Sequence, residues 1–301
     1  NFTTTANAGN FALGQFIRSL QLTYIEFTDQ TIPATSPFTA FGFDNFKLAL
    51  QNQIFVQSIA NTAILTIVEV PLTITVSLLI ATFLNNIKVL KGFYQTVFFL
   101  PYVTNTIALG LIFNIAFKSD RGGLVNILLN KVFGMDPINW LARSDIKGTA
   151  TRFHQGVVIV LYALWNGLAF KILVFMSGLA TIDKQYSDAA KIDGASSFTI
   201  WRRITLPLLS PQILYITITS FIGSFKMYTG VMAVYQSVGG GGTGYYFGGS
   251  GDEWIPVVGW IYKNLNISAP GVSSAASLIL LGIIMVITAV QFMVSKKRVH
   301  Y

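Results

Sequence analysis

Three charged residues in this 301-residue sequence lie inside long apolar stretches: Glu69, Lys171 and Lys226. A charge held in hydrocarbon costs about 3 kcal/mol or more, so each is a functional candidate by default. Two kinds of chemistry are open. Glu69 and Lys171 fall at similar depth on different stretches and could form a structural ion pair, or the lysines could snorkel toward water. Alternatively, one or both lysines could attract an anionic ligand. A second constellation lies at 186–207, which reads YSDAAKIDGASSFTIWRRITLP. Ser187 or Asp188 is predicted to cap a short helix through Ala189, Ala190, Lys191 and Ile192. Gly194 permits a turn that a side chain would obstruct. A second short amphipathic run follows. Pro207 suits the first turn of the next helix, where its missing N–H would be unpaired anyway. A connection that only reversed the chain could be much shorter, so this one reads as a docking element.

Other chemistry is poorly supplied. The absence of cysteine excludes disulfides, thiolate metal sites and thiol catalysis. His154 and His300 are too few for a histidine-based metal or acid–base site. The apolar stretches hold no paired carboxylates, histidine cluster or Ser-His arrangement, which leaves an intramembrane enzyme with little support. The glycine-rich run at 239–251, GGGGTGYYFGGSG, lacks the Gly-Lys-Ser/Thr end of a phosphate-binding loop, and no such end occurs elsewhere. ATP hydrolysis is therefore not expected on this chain.

The elements that carry these residues are membrane spans. The chain is 52% hydrophobic and 11% charged, too few charges to cover a soluble surface, where about 25% is usual. A spanning helix needs roughly 20 mostly apolar residues. Five stretches qualify: 58–84, 93–117, 153–180, 208–236 and 271–294. The stretch 9–30 does not, and reads as an interfacial helix or the end of a first span. Connections 85–92, 181–207 and 295–301 hold nine Lys and Arg in 42 residues; the opposite connections hold eight in 96. The denser side is placed in the cytoplasm. A net charge of +8 with no basic run beyond Lys296-Lys297-Arg298 argues against nucleic acid. Pro71 and Pro101 are expected to kink helices around a cavity. Trp254, Trp260 and Tyr262 are expected to form an interfacial belt. The predicted organisation is an N-terminal segment and external loop (1–57), a transmembrane domain (58–294) holding the cytoplasmic loop 181–207, and a cytoplasmic tail (295–301).

The run Asp188-Ala189-Ala190-Lys191-Ile192-Asp193-Gly194-Ala195, followed by Leu206-Pro207, resembles the EAA loop of the membrane subunits of binding-protein-dependent ABC importers. Phe41-Gly42-Phe43-Asp44-Asn45-Phe46, Phe98-Phe99-Leu100-Pro101-Tyr102-Val103, Pro137-Ile138-Asn139-Trp140-Leu141 and Thr205-Leu206-Pro207-Leu208-Leu209 resemble the carbohydrate-uptake branch, similar to the MalF-type subunit. The resemblance implies an all-α, multi-pass transmembrane bundle of the MetI-like permease fold, with five clear spans plus the end of a first helix whose upstream part lies before Asn1. It implies a place in the bacterial cytoplasmic (inner) membrane, among membrane lipid. The implied function is half of the translocation path for a carbohydrate, an oligosaccharide that is anionic if the lysines serve to attract it. The implied partners are a second permease subunit forming a heterodimer, two ATP-binding subunits that hold ATP and Mg, and a periplasmic or lipid-anchored solute-binding protein. No cofactor is implied on this chain. The loop would enter a cleft of the ATP-binding subunit through Asp188, Ala189, Ala190, Asp193, Gly194, Ala195, Leu206 and Pro207. The first position is usually Glu; Asp188 keeps the charge and shortens the reach by one methylene.

The resemblance also carries the substrate path onto Ala163, Asn166, Gly167 and Phe170, and onto Ser220, Ser224 and Met227. The spacing of each set places it on one helix face. Small and polar residues there leave room and hydrogen-bonding groups, and an aromatic residue stacks on a sugar ring; small residues also let helices pack closely. Lys171 and Lys226 join this path as anion candidates, with Glu69 as the intramembrane carboxylate. The rival to ATP-driven import is a secondary transporter or channel driven by an ion gradient through Glu69 and the lysines.

Overall fold

The structure is a computed structural model and describes residues 43–87, 91–141, 149–235, 254–267 and 270–295. Among the described residues every regular element is a helix. Hydrocarbon offers no water to the backbone, so each spanning segment must satisfy its own N–H and C=O groups. The expectations that fall on 1–42, on the glycine-rich run 239–251 and on the basic tail residues 296–298 lie outside the described residues.

Three expected spans are single helices long and apolar enough to cross a membrane. Helix α1 (Asp44–Gln51) leads into α2 (Gln53–Asn86), where the Asn52 side chain accepts from the Ile54 and Phe55 N–H groups. Pro71 lies inside α2 without ending it. One face of α2 is a ridge of buried hydroxyls: Ser58, Thr62, Thr66, Thr73 and Ser77. Each donates to a carbonyl three or four residues earlier, so the ridge meets its own hydrogen-bonding needs. Glu69 lies on that ridge. Helix α6 (Thr149–Thr181) packs along α2 in the most extensive helix pair among the described residues. Helix α13 (Pro270–Ser295) exposes Leu278, Leu281, Met285, Val286 and Val290, as a lipid-facing helix does.

The other two expected spans are each broken. Stretch 93–117 forms α3 (Lys91–Val103) and α4 (Thr106–Ala116), with Asn105 capping α4 by accepting from the Ile107 and Ala108 N–H groups. Stretch 208–236 forms α10 (Ser210–Phe225) and α11 (Thr229–Tyr235), which part at Lys226, Met227 and Tyr228. Apolarity marks membrane depth but not backbone continuity; a polar cap redirects the helix without changing the mean hydropathy. The later halves, α4 and α11, pack on each other. Asn114 Nδ2 donates to the Val234 carbonyl at 2.6 Å. Tyr162 of α6 donates to the Thr106 carbonyl at 3.2 Å, and its ring fills the space where Gly230 has no side chain.

Along α2, α6 and α10 two apolar clusters alternate with polar residues. One holds Phe55, Ile159, Phe225, Trp254, Trp260 and Val272. The other holds Leu84, Ile172, Phe175, Leu209 and Ile216. The expected aromatic belt is corrected here, since Trp254 and Trp260 are only 7% and 2% exposed. The Trp254 indole donates to the Arg152 carbonyl at 2.8 Å, and Trp260 packs on Phe55. An indole whose N–H finds a carbonyl is as well placed in a core as at an interface. Tyr262 of α12 (Val257–Ile267), also expected in the belt, is 40% exposed and lies against Tyr228.

The segment 181–207 begins with α7 (Lys184–Ile192). Its cap is Asp183, which accepts from the Gln185 N–H at 2.9 Å, rather than Ser187 or Asp188; these lie one turn inside the helix. Asp183 is the first residue able to cap once α6 ends at Thr181, so capping begins a turn earlier than expected. Gly194 has φ +77°, the left-handed conformation that favours glycine, and the Ala195 N–H closes the turn on the Ala190 carbonyl at 2.9 Å. Ser196 then caps α8 (Ser197–Ile200). A single π turn, Trp201–Thr205, and α9 (Leu206–Leu208) lead to α10 through a bend of 65°. Pro207 opens α9, and Pro211 opens α10 itself.

Candidate functional site

The two constellations share two helices: the first lies midway along α6 and at the far end of α10, and the second joins their near ends. The first is a cavity of about 480 Å³, a size usual for small-molecule sites. Helix α6 supplies Ala163, Asn166, Gly167, Phe170 and Lys171; α10 supplies Ser220 and Ser224; the break after α10 supplies Lys226 and Met227; α2 supplies Glu69. The cavity thus collects every path residue expected from the sequence. It also takes Tyr102 and Thr106 from the break between α3 and α4, Tyr162 from α6, and Tyr228 from the break between α10 and α11. Tyr102, Thr106 and Tyr228 were missed because two continuous spans would not have turned their ends inward; Tyr162, on the unbroken α6, lies one residue before Ala163.

The cavity wall carries both charged and aromatic side chains. Glu69 Oε1 and Lys171 Nζ are 3.8 Å apart, with both side chains 8% exposed. That distance makes an ion pair but not a hydrogen bond. Glu69 Oε2 is buried without a hydrogen-bond partner. Gly167 leaves the space beside Lys171: a Cβ there would lie 3.1 Å from the ammonium. Ser224 is held to α2 by a 2.8 Å hydrogen bond with Thr66. Tyr102 and Phe170 stack at 6.0 Å between ring centres and present a joint apolar face. Lys226 is exposed at the end of α10 and forms no ion pair among the described residues.

The second constellation is the loop between α6 and α10. It exposes large apolar side chains, with Ile192 87% and Phe198 65% exposed and Tyr186 beside them in the same segment. Asp188 pairs with Lys191 at 2.9 Å on the helix surface. Asp193 and Gly194 are exposed, Ala190 and Ala195 are half-buried, and Leu206 and Pro207 lie half-buried at the way back into α10. The loop is fastened from beneath. The Trp201 indole donates to Thr82 of α2 at 3.2 Å, and Ile200 and Leu209 are buried. Its two ends continue into α6 and, through α8 and α9, into α10, the helices that line the cavity.

Residues 73–300 match the family described as the binding-protein-dependent transport system inner membrane component. The arabinooligosaccharides transport system permease protein AraP of Bacillus subtilis (strain 168) is 31% identical over 257 residues, covering 84% of this chain and 75% of that protein. The sn-glycerol-3-phosphate transport system permease protein UgpA of Rhizobium meliloti (strain 1021) is 30% identical, covering 86% of this chain and 82% of that protein. A crystal structure of a bacterial alginate ABC transporter, in complex with an alginate pentasaccharide-bound periplasmic protein, superposes with a TM-score of 0.72 at 20% identity over 95% of this chain and 88% of that one. The fold is therefore the MetI-like permease fold, and an ion-gradient carrier or channel is set aside. This chain is an integral membrane protein and belongs to the family of inner membrane components of binding-protein-dependent transport systems.

Proposed function

We propose that this chain forms half of the translocation path of an ATP-driven importer for a carbohydrate, delivered by an external solute-binding protein. The observation that carries the reading is the continuity of α6 and α10 with both constellations. The loop 181–207 joins α6, whose middle turns line the cavity, to α10, whose far end lines it. A force on the loop reaches the cavity wall through rigid helices rather than through a flexible tether. The exposed Ile192 and Phe198 give the loop an apolar surface that a partner would cover. The partners are two ATP-binding subunits, which hold ATP and Mg and carry out hydrolysis, and a second, distinct permease subunit that supplies the other half of the path. The setting is a bacterial cytoplasmic membrane.

The named relatives support a sugar cargo, since the AraP protein is named for arabinooligosaccharides. The cavity adds a physical reason. Stacked Tyr102 and Phe170 suit the apolar face of a sugar ring, and Asn166 and Ser220 offer hydrogen bonds. Lys226 favours a second reading for part of the cargo, an acidic unit held near the outer break. The test is co-purification of the chain with its ATP-binding subunit. The unaltered chain should retain that subunit, and Gly194→Asp, which places a side chain at φ +77° in the loop, should lose it while the permease partner stays bound. Retention of the ATP-binding subunit by the variant would contradict the docking role.

A further inference from the structure

Two side chains that line the cavity are more than nine-tenths buried and have unused hydrogen-bonding capacity. Lys171 carries three N–H donors and meets Glu69 Oε1 only at 3.8 Å. Glu69 Oε2 is buried without a partner. Buried polar atoms are nearly always hydrogen-bonded, so an ammonium with unused donors that stands 3.8 Å from Glu69 Oε1, on a cavity wall, points to a ligand that bridges those two atoms. The charges cancel across the pair. An anion drawn to Lys171 would meet the Glu69 carboxylate, and a cation drawn to Glu69 would meet the ammonium. A neutral group that both donates and accepts satisfies both at once, and a hydroxyl is such a group. The 3.8 Å gap is too long for a direct hydrogen bond, yet one hydroxyl oxygen reaches both atoms at the usual length of about 2.8 Å. Phe170 and Tyr102, stacked on each other, line the same cavity and give it an apolar face.

We infer that Glu69 and Lys171 together hold one hydroxyl of a neutral sugar unit, its O–H donating to Glu69 and its oxygen accepting from Lys171. The inference rests on the carbohydrate reading and narrows it: this wall selects uncharged sugar units over uronates. An acidic unit belongs at Lys226, away from the pair.

The test uses the purified complex with its partner permease and ATP-binding subunits, in detergent or nanodiscs, without binding protein. Ligand-observed NMR would compare methyl glycosides of arabinose, galactose and glucose with their monodeoxy analogues and with glucuronate. For the sugar that binds, removal of one hydroxyl should weaken binding by at least about tenfold, because it leaves the buried pair unsatisfied. Glu69→Gln with Lys171→Met should weaken the parent sugar and abolish that discrimination. Glu69→Gln alone uncovers the ammonium and should raise the ratio of glucuronate to glucose binding by about tenfold. Should the double variant fail to assemble, Glu69→Asp, which draws the carboxylate back, should still blunt the same hydroxyl's effect. Undiminished discrimination in the assembled variants, or an unchanged acid-to-neutral ratio in Glu69→Gln, would overturn the inference while leaving carbohydrate import standing. Absence of binding by any of these sugars to the unaltered complex would overturn the carbohydrate reading beneath it.

Discussion

The cavity and the loop each contain one ion pair, and the two pairs differ in nearly every physical respect. Glu69 and Lys171 come from different helices, are 8% exposed, and stand 3.8 Å apart. Asp188 and Lys191 lie one turn apart on a single helix, are 65% and 63% exposed, and touch at 2.9 Å. The closer pair is the weaker one. Water competes for the exposed charges and screens them, so such a pair contributes little to stability. The buried pair has already lost its hydration, so removing either partner leaves an uncompensated charge. The difference matches the proposed roles. The helices that line a cavity have to stay joined to each other as it empties and fills. A docking loop has to hold its charges ready for a partner.

The sharpest way to break this contrast is to delete one charge from each pair. Lys171→Met strands Glu69 and should destabilise the protein by about 3–5 kcal/mol, read as a fall in thermal midpoint in detergent. Adding Glu69→Gln should recover most of that loss, because the pair rather than either charge is what burial tolerates. Next in size is Gly230→Val, which drives a branched side chain into the Tyr162 ring and should cost about 1–3 kcal/mol. It should also loosen α4 from α11, detectable as faster hydrogen exchange in both. Asn105→Ala removes the α4 cap and should cost about 1 kcal/mol, with exchange rising only in the first turn of α4. The smallest effect on stability belongs to the loop. Asp188→Ala should shift stability by less than about 1 kcal/mol, yet uptake should fall and association with the ATP-binding subunit should weaken. A large loss of stability in Asp188→Ala, or none in Lys171→Met, would erase the distinction.

The same contrast explains what the sequence made legible. The loop is local chemistry. Gly194 at φ +77°, the double alanine and Leu206-Pro207 act over a few residues, so spacing and type were enough to find it. Only the cap moved, from Ser187 or Asp188 to Asp183. The cavity is long-range chemistry, yet α6 and α10 are regular there, and regular spacing brought Asn166, Gly167, Phe170, Ser220 and Ser224 to one place. The breaks at Asn105 and at Lys226 to Tyr228 were hidden by their apolar surroundings, and Tyr102, Thr106 and Tyr228 were hidden with them. One signal was present and unused. Ser58, Thr62, Thr66, Glu69, Thr73 and Ser77 recur every three or four residues, which marks a polar helix face turned inward from lipid. Trp254 and Trp260 misled for the opposite reason, since a tryptophan's amphipathic character does not say which buried or interfacial partner it will meet.

The central claim is that ATP-driven movement of the loop opens and closes the cavity. Its most direct test is sugar uptake into proteoliposomes holding the complete complex, with binding protein outside and ATP inside. Uptake should require both, persist when ion gradients are collapsed, and stop when Ile192→Asp and Phe198→Asp remove the loop's apolar surface. Uptake by this chain without the ATP-binding subunits, driven by an imposed ion gradient, would contradict the account.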